Sequence, residues 1–483
     1  MKNNQWQKKD WLIISILLFI GLLLRLYKIN IPLTDFHSWR QADTAAVARN
    51  FIKDGFDLFH PRYDDLSSIQ TGLENPNGYR MVEFPLYNFI FGFLTKHLGF
   101  FSLEIWGRLT SLFFSLIILV VIYYLSLKEI SQTAGFFAGL TFAIMPFFVF
   151  YSRVVLPETT ATGFVFISIF LAYLFSKKQK NNCFVCYFFS LLFFSSSLLI
   201  KPTTIFYFLV ILYFFIRKYS IFVFKKIYFY LYFILSVVPL ILWRLYILNY
   251  SEGVPANEWL ITSVNTPEGL KRIFFRPAFF RWLFFERLNL LILGGYLIPF
   301  FVVGLIRKLK NNWLLFLNLS FFSYLFIFQG GNVQHEYYQI IILPVIALNI
   351  GVGIDFLFRH KNQFFLNGIV FYFLLIIAFV FSFLFSYEKI RFYYQYPNDL
   401  IVIANIVKKL TKPTDKIVTD RQGDTTLLYL MNRKGAPAVY KDPADLKTLG
   451  YQYLVTQNMD YVKNLKKQYS VIFETNNFAV IKL

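Results

Sequence analysis

I-W-G-R-L-T-S-L-F-F-S-L-I-I-L-V-V-I-Y-Y-L-S-L at 105–127 carries one charge, Arg108, in a run that as a helix would rise about 34 Å at 1.5 Å per residue. That length fits a hydrocarbon core of ~30 Å. Further apolar stretches long enough, or nearly so, lie at 11–27, 134–151, 158–176, 183–200, 203–216, 227–248, 288–306, 313–328, 336–358 and 364–385. The count is about eleven. Composition points the same way: of 483 residues, 57% are hydrophobic and 16% charged, with a positive mean hydropathy. The chain reads as a polytopic α-helical membrane protein, and a disordered chain, a coiled coil and a soluble multidomain enzyme are excluded. The 62 Phe accompany an excess of Lys, Asn and Ile, which have AT-rich codons, so most of the Phe abundance reflects codon bias.

The stretch F-P-L-Y-N-F-I-F-G-F-L-T-K-H-L at 84–98 decides the orientation. It would span only ~22 Å as a helix. If it lies on the membrane surface, Lys2/Lys8/Lys9, Lys128, Lys177/Lys178/Lys180, Arg217/Lys218/Lys225/Lys226, Arg307/Lys308/Lys310 and Arg359/Lys361 all share the cytoplasmic side with the N-terminus. If it crossed, the later clusters would face outward, against the positive-inside rule. The reading is therefore a multi-pass protein of the inner membrane with its first span retained. It divides into a transmembrane domain over 1–385, with outer loops 29–104 and 249–287, and an extracytoplasmic domain over 386–483.

The outer loop 29–104 holds nine acidic residues against six Lys and Arg, in a chain whose net charge is +21. Acid excess there points to chemistry or to a divalent metal. Within it, Arg40–Lys53 reads as a helix stopped by Gly55, and 84–98 as an interfacial helix begun near Pro85. Asp64 and Asp65 read as solvated loop acids. The tail alternates helix-like runs (399–411, 424–432, 460–468) with strand-like ones (416–419, 451–456, 469–474, 477–482), the pattern of a small α/β domain. Cys183 and Cys186 sit together at one end of a membrane segment, so no disulfide framework is available outside.

No phosphate-binding loop, metalloprotease motif or dinucleotide fingerprint occurs, and the basic charge lies in short loops, so nucleic acid is not an expected partner. Ionisable residues gather instead at the outer ends of the spans: Asp35 after the first, Arg153 and Glu158 after the third, Lys201 at the end of the fifth, His335 and Glu336 at the tenth. Bland alternatives stand beside each. Arg153 and Lys201 could be headgroup anchors, Tyr337 and Tyr338 an aromatic belt, His37 and His335 loop residues, and Arg40 a partner of Asp43 or Glu83.

L-T-D-F-H-S-W-R-Q-A-D-T-A-A-V-A-R-N-F at 33–51, E-F-P-L-Y-N at 83–88, S-R-V-V-L-P-E at 152–158, K-P at 201–202 and Q-H-E-Y-Y-Q-I-I-I-L-P at 334–344 together resemble the bacterial polyprenyl-phosphate-sugar glycosyltransferases of the GT-C fold. That group includes the protein O-mannosyltransferase-like and lipid A aminoarabinose transferase-like enzymes. The resemblance implies transfer of a hexosyl or pentosyl group from a polyprenyl-phosphate carrier to a lipid, glycan or protein acceptor of the cell envelope, usually by inversion. It implies Asp35 as the base, Arg40, Arg153 and Lys201 as donor-phosphate cations, and His37, Glu83, His335, Tyr337, Tyr338 and Gln339 as substrate-binding residues. In relatives the acid at the Glu158 position can share a divalent ion with the first-loop Asp, which admits a metal at Asp35 and Glu158. No other cofactor is implied. Phe84 stands where the aminoarabinose transferase has a phosphate-binding Lys, and Phe36 where many relatives have a second acid. A lipid-linked glycan flippase would be expected to show internal repeats and acids at the bilayer midplane, and a glycan polymerase or ligase to rely on loop arginines such as Arg272, Arg276, Arg281 and Arg287.

Overall fold

The computed structural model describes residues 7–177, 183–254, 275–364 and 368–483. Arg272, Lys2, Lys178 and Lys180 lie outside them. The apolar runs picked out above are mostly helical over their described residues, with 288–306 interrupted between Ile292 and Ile298. Among these residues, six helical stretches are long and apolar enough to cross a membrane: Leu103–Glu129, Pro157–Lys177, Pro202–Lys225, Ile227–Ile247, Glu336–Arg359 and Gly368–Leu410. Three shorter apolar helices are Gln132–Ile144, Phe184–Ile200 and Trp313–Ile327. This is a multi-pass membrane protein.

The chain forms two compact units. The first comprises the described parts of Met1–Ile29, Arg108–Trp243 and Glu258–Phe392, and is helical. Its run at 134–151 is two helices rather than one, Gln132–Ile144 and Pro146–Tyr151, because Pro146 cannot continue the ladder. The break frees carbonyls in apolar surroundings, where unmet polar groups are costly. Arg25 meets them: its Nη2 donates to the Phe142 carbonyl at 2.8 Å and its Nη1 to that of Ala143 at 3.0 Å. Helix Leu343–Arg359 packs closely on Ile298–Ile306, since a Cβ at Gly304 would overlap the Asn349 carbonyl and one at Gly353 that of Phe300. Glycine there lets backbones touch, the usual packing of helices in lipid.

The second unit comprises the described parts of Asn30–Gly107, Arg244–Asn257 and Tyr393–Leu483. Helix Ser38–Asp54 begins two residues before the expected start, buries Ala42, Ala45, Ala46 and Ala48, and ends at Gly55, whose φ of 103° suits glycine. Helix Leu86–Leu98 follows Pro85 and ends at Gly99. With 13 residues it is too short to span ~30 Å of hydrocarbon. Asn88 Nδ2 ties it to the Thr44 carbonyl at 2.7 Å.

The tail is the small α/β fold expected. Strands β1 (Ile417–Thr419), β2 (Gly435–Ala436), β3 (Tyr453–Thr456), β4 (Ser470–Glu474) and β5 (Ala479–Lys482) lie in the order β2-β1-β3-β5-β4, parallel at β2-β1-β3 and antiparallel beyond. One face packs on Ile403, Val407, Leu428 and Met431, the other on Leu446, Tyr451, Val462 and Leu465. Strand β2 and helix Pro443–Thr448 have no counterpart among the expected elements; both are too short to show a period. The first loop completes the sheet edge, with Leu66 N donating to the Gly435 carbonyl at 2.7 Å and Gly435 N to that of Asp64 at 2.8 Å. The first loop and the tail thus belong to one compact unit.

Candidate active site

In the second unit Asp35 is buried, and its Oδ1 accepts from Gln41 Nε2 at 2.8 Å. Gln41 also donates to the Phe36 carbonyl at 3.0 Å, so one amide shapes the turn and orients the carboxylate. His37 occupies the left-handed region with φ 58°, a conformation few residues accept outside such turns. The tail fastens the turn from the other side: Phe36 N donates to the Tyr393 carbonyl at 3.1 Å, and the two rings stack with centroids 3.9 Å apart. Gln41 and Tyr393 were not foreseen as site residues; Gln41 lies inside the quoted block, whereas nothing local marks Tyr393.

Arg40 pairs with Glu83, one of the alternatives left open by the sequence. The other acid, Asp43, pairs with Arg80 at 3.0 Å and accepts from Thr425 Oγ1 at 2.5 Å. Burial pushes the Asp43 carboxyl up, against the pull of Arg80. Asp64 and Asp65, expected in solvent, are both buried. Asp64 pairs with Arg49, while Asp65 accepts from Ser67 N at 2.8 Å and Ser67 Oγ at 2.6 Å. Burial pushes Asp65 up to about 6 despite these bonds. The expectation failed because the acids' partners come from residues distant in sequence or from a local turn that only the fold closes. Phe84, in place of the relatives' lysine, sets its ring edge-on to Phe59.

In the first unit Lys201 Nζ lies 2.6 Å from Glu158 Oε1 and 5.1 Å from the centroid of the Tyr338 ring. Both ions are buried, so Lys201 is no headgroup anchor. Pro202 holds Lys201 extended (φ −150°, ψ 103°), as proline does to the residue before it. Arg153, also buried, donates from Nη1 to the Lys28 carbonyl at 3.0 Å. His335 stacks on Tyr337 at 5.1 Å, and Gln339 Nε2 donates to Asn332 Oδ1 at 2.9 Å and to its carbonyl at 3.0 Å. Tyr337 and Tyr338 are buried rather than part of an exposed belt. Of the loop arginines, Arg281 pairs with Glu286 at 2.9 Å and Arg287 donates to the carbonyls of Asn332 and Val333.

The structure thus joins Asp35 with Gln41, and Arg40 with Glu83, in one unit, and Lys201 with Glu158 and Tyr338 in the other. Neither Asp35 nor Glu158 fits a divalent ion, which wants several converging oxygens. A lysine ammonium already meets Glu158, and an amide N–H meets Asp35. Among the described residues no group of three or more His, Cys, Asp or Glu is placed to hold a metal.

Residues 83–243 match the family model of dolichyl-phosphate-mannose-protein mannosyltransferase, a segment that includes Arg153, Glu158 and Lys201 and begins at Glu83. No curated protein sequence matches the chain. Among solved structures, ArnT from Cupriavidus metallidurans bound to undecaprenyl phosphate aligns with a TM-score of 0.68 and 11% identity, over 99% of this chain and 98% of that one. The archaeal oligosaccharyltransferase AglB from Archaeoglobus fulgidus, in complex with an inhibitory peptide and a dolichol-phosphate, aligns at 0.56 and 12%, over 99% of this chain and 74% of that one. A structure of that oligosaccharyltransferase with Zn and sulfate aligns at 0.56 and 12%, over 97% and 72%. The mycobacterial arabinofuranosyltransferase AftD aligns at 0.57 and 14% over 94% of this chain, which spans 37% of its length. The chain has the GT-C fold, and the resemblance to the polyprenyl-phosphate-sugar glycosyltransferases of that fold, first visible in its motifs, is borne out.

Proposed function

We propose that this protein is a membrane glycosyltransferase that moves a sugar from a polyprenyl-phosphate carrier to a lipid, glycan or protein acceptor on the outer face of the bacterial inner membrane. The observation that carries this reading is the likeness, along almost the whole of both chains, to ArnT bound to undecaprenyl phosphate. In the proposed single displacement, the acceptor oxygen bonds to the anomeric carbon as the bond from that carbon to the phosphate oxygen breaks, inverting the centre. Polyprenyl phosphate departs with the electron pair, and the acceptor proton passes to the Asp35 carboxylate, which Gln41 holds in place.

Charge builds on the departing phosphate and calls for fixed cations. Arg40, Arg153 and Lys201 take that role in this proposal. Lys201 and Arg40 each already face a carboxylate, so the phosphate would compete with Glu158 and Glu83 for cations that are held in position beforehand. His37, Glu83, His335, Tyr337, Tyr338 and Gln339 are proposed to line the substrates. The boundaries at 385/386, the outward orientation of loop 29–104 and the tail, and the cytoplasmic N-terminus belong to the same proposal. A cysteine at Asn458 should react with an impermeant reagent applied from outside, and one at Lys226 should not.

The deciding assay uses the purified protein with a polyprenyl-phosphate sugar and, separately, a nucleotide sugar. Turnover of the lipid donor alone is expected. Equal use of the nucleotide sugar would end the lipid-carrier reading.

A further inference from the structure

The second unit contains a cavity of about 200 Å³ at the end of helix Ser38–Asp54, walled on one side by the first loop and on the other by the tail. Five of its lining residues are cations: Arg49, Lys53, Lys416, Arg433 and Lys434. Two are acids, Asp54 and Asp64. Asp64 is already paired with Arg49, and Asp54 reaches Lys434 only at 4.0 Å. The Lys416 ammonium has no carboxylate partner among the described residues.

Part of this charge has structural work. Arg433 closes the end of helix Asn398–Leu410, donating to the Thr411 carbonyl at 2.8 Å and to Thr411 Oγ1 at 3.2 Å. Lys53 donates to Asn432 Oδ1 at 2.6 Å and sits in the last turn of its helix, where a cation suits the dipole. Neither task neutralises the wall. Burial, and after it Arg49, holds the Lys53 ammonium below its ordinary range. Burial, and after it Arg433 and Arg49, does the same to nearby Lys408. Arg49 Nε is buried with no hydrogen-bond partner, its guanidinium stacked 4.6 Å over the Tyr429 ring. Cations crowded into a half-enclosed polar space repel one another, and an entering anion would relieve that cost.

We infer that this cavity is a binding site for a phosphate group. The excess of cations suits a group carrying about −1.5 to −2 charges at neutral pH, with several oxygens to accept from converging donors. The volume falls below the ~300 Å³ at which drug-sized ligand pockets begin, so it suits a single oxyanion rather than a nucleotide or an oligosaccharide. The phosphate could be free or borne on a lipid headgroup. The inference stands on this cavity alone and is independent of the transfer reaction.

The test uses the full chain in phosphatidylcholine nanodiscs, titrated with inorganic phosphate at constant ionic strength and read by thermal unfolding. A saturable rise in Tm is expected. Lys53→Gln/Lys416→Gln should weaken the half-saturating concentration by ~10-fold or more, as removal of two charge-assisted contacts implies. Lys53→Arg/Lys416→Arg should restore it, which separates lost binding from misfolding. In a second arm, nanodiscs containing phosphatidic acid and no free phosphate assign the site to a headgroup if they reproduce the shift and the glutamine variant abolishes it. No saturable shift from either source, or an equal shift in the glutamine variant, overturns the inference.

Discussion

Arg25 in one unit and Arg80 in the other, both buried, are set against different partners. In the membrane unit Arg25 donates to the carbonyls of Gly21, Phe142 and Ala143, Arg108 to that of Ile29 and Arg153 to that of Lys28. In the second unit Arg40 pairs with Glu83 and Arg80 with Asp43, while Arg433, at the end of a helix, donates to the Thr411 carbonyl. A helix break in lipid leaves carbonyls that water cannot reach, and a guanidinium with five donors can satisfy several at once. The second unit is rich in acids, so Arg40 and Arg80 find carboxylates there. An arginine near a span end is therefore weak evidence of a ligand site until its partners are known. Lys201 stands apart from these arginines, since it is a buried cation of the membrane unit that meets a buried acid, Glu158.

That departure gives the largest expected effect. Lys201→Met leaves the Glu158 carboxylate buried without its ammonium and should cost ~3–5 kcal/mol, seen in denaturation of the detergent-solubilised protein. Lys201→Met/Glu158→Leu should recover most of that stability without recovering transfer. If the double variant is as unstable as the single, the pair is not what the buried carboxylate depends on.

Asp65 comes next, an acid of the second unit bonded to Ser67 rather than to a cation. Its folded pKa of about 6 lies above the ordinary carboxylate value, so the folded state binds the extra proton between the two. Stability should fall as pH rises from about 4 to about 6 and level off above. The fall should reach up to ~3 kcal/mol, since each pH unit between the folded and unfolded values is worth about 1.36 kcal/mol. Asp65→Asn should flatten that slope; a slope unchanged in the variant would assign it to other groups.

Asp35→Asn keeps the shape and the Gln41 contact but cannot take a proton. Transfer should drop about 100-fold, or ~2.7 kcal/mol, with Tm unchanged. More than a tenth of wild-type turnover would remove Asp35 from the role of base. The smallest effect belongs to Arg25→Lys, which gives up carbonyl contacts and should cost ~1–2 kcal/mol of stability while the folded fraction keeps its donor KM. A changed KM would mean that carbonyl-bound arginines also serve the substrate.

Regular apolar runs were legible because each reports its own environment residue by residue, as 105–127 does. The turn at Asp35 was legible as a motif. Its support was not, because Tyr393 and Gln41 act through geometry that no period in the sequence encodes. Asp64 misled for the same reason: its partner Arg49 lies 15 residues away on a different element. Strand β2 is two residues long, below the length at which alternation can be seen.

The closure of the first loop by the tail also sets an order of events in synthesis. Arg49 donates to the Tyr429 carbonyl across 380 residues of chain. At 5–20 residues per second the ribosome needs about 20–75 s to make that stretch. Throughout that time the helix Ser38–Asp54 and its acids have emerged without the sheet edge that covers them. The second unit can therefore finish only after the last membrane segment has been made, and a chain truncated before residue 435 is expected to leave the cell with an inserted but incompletely folded protein.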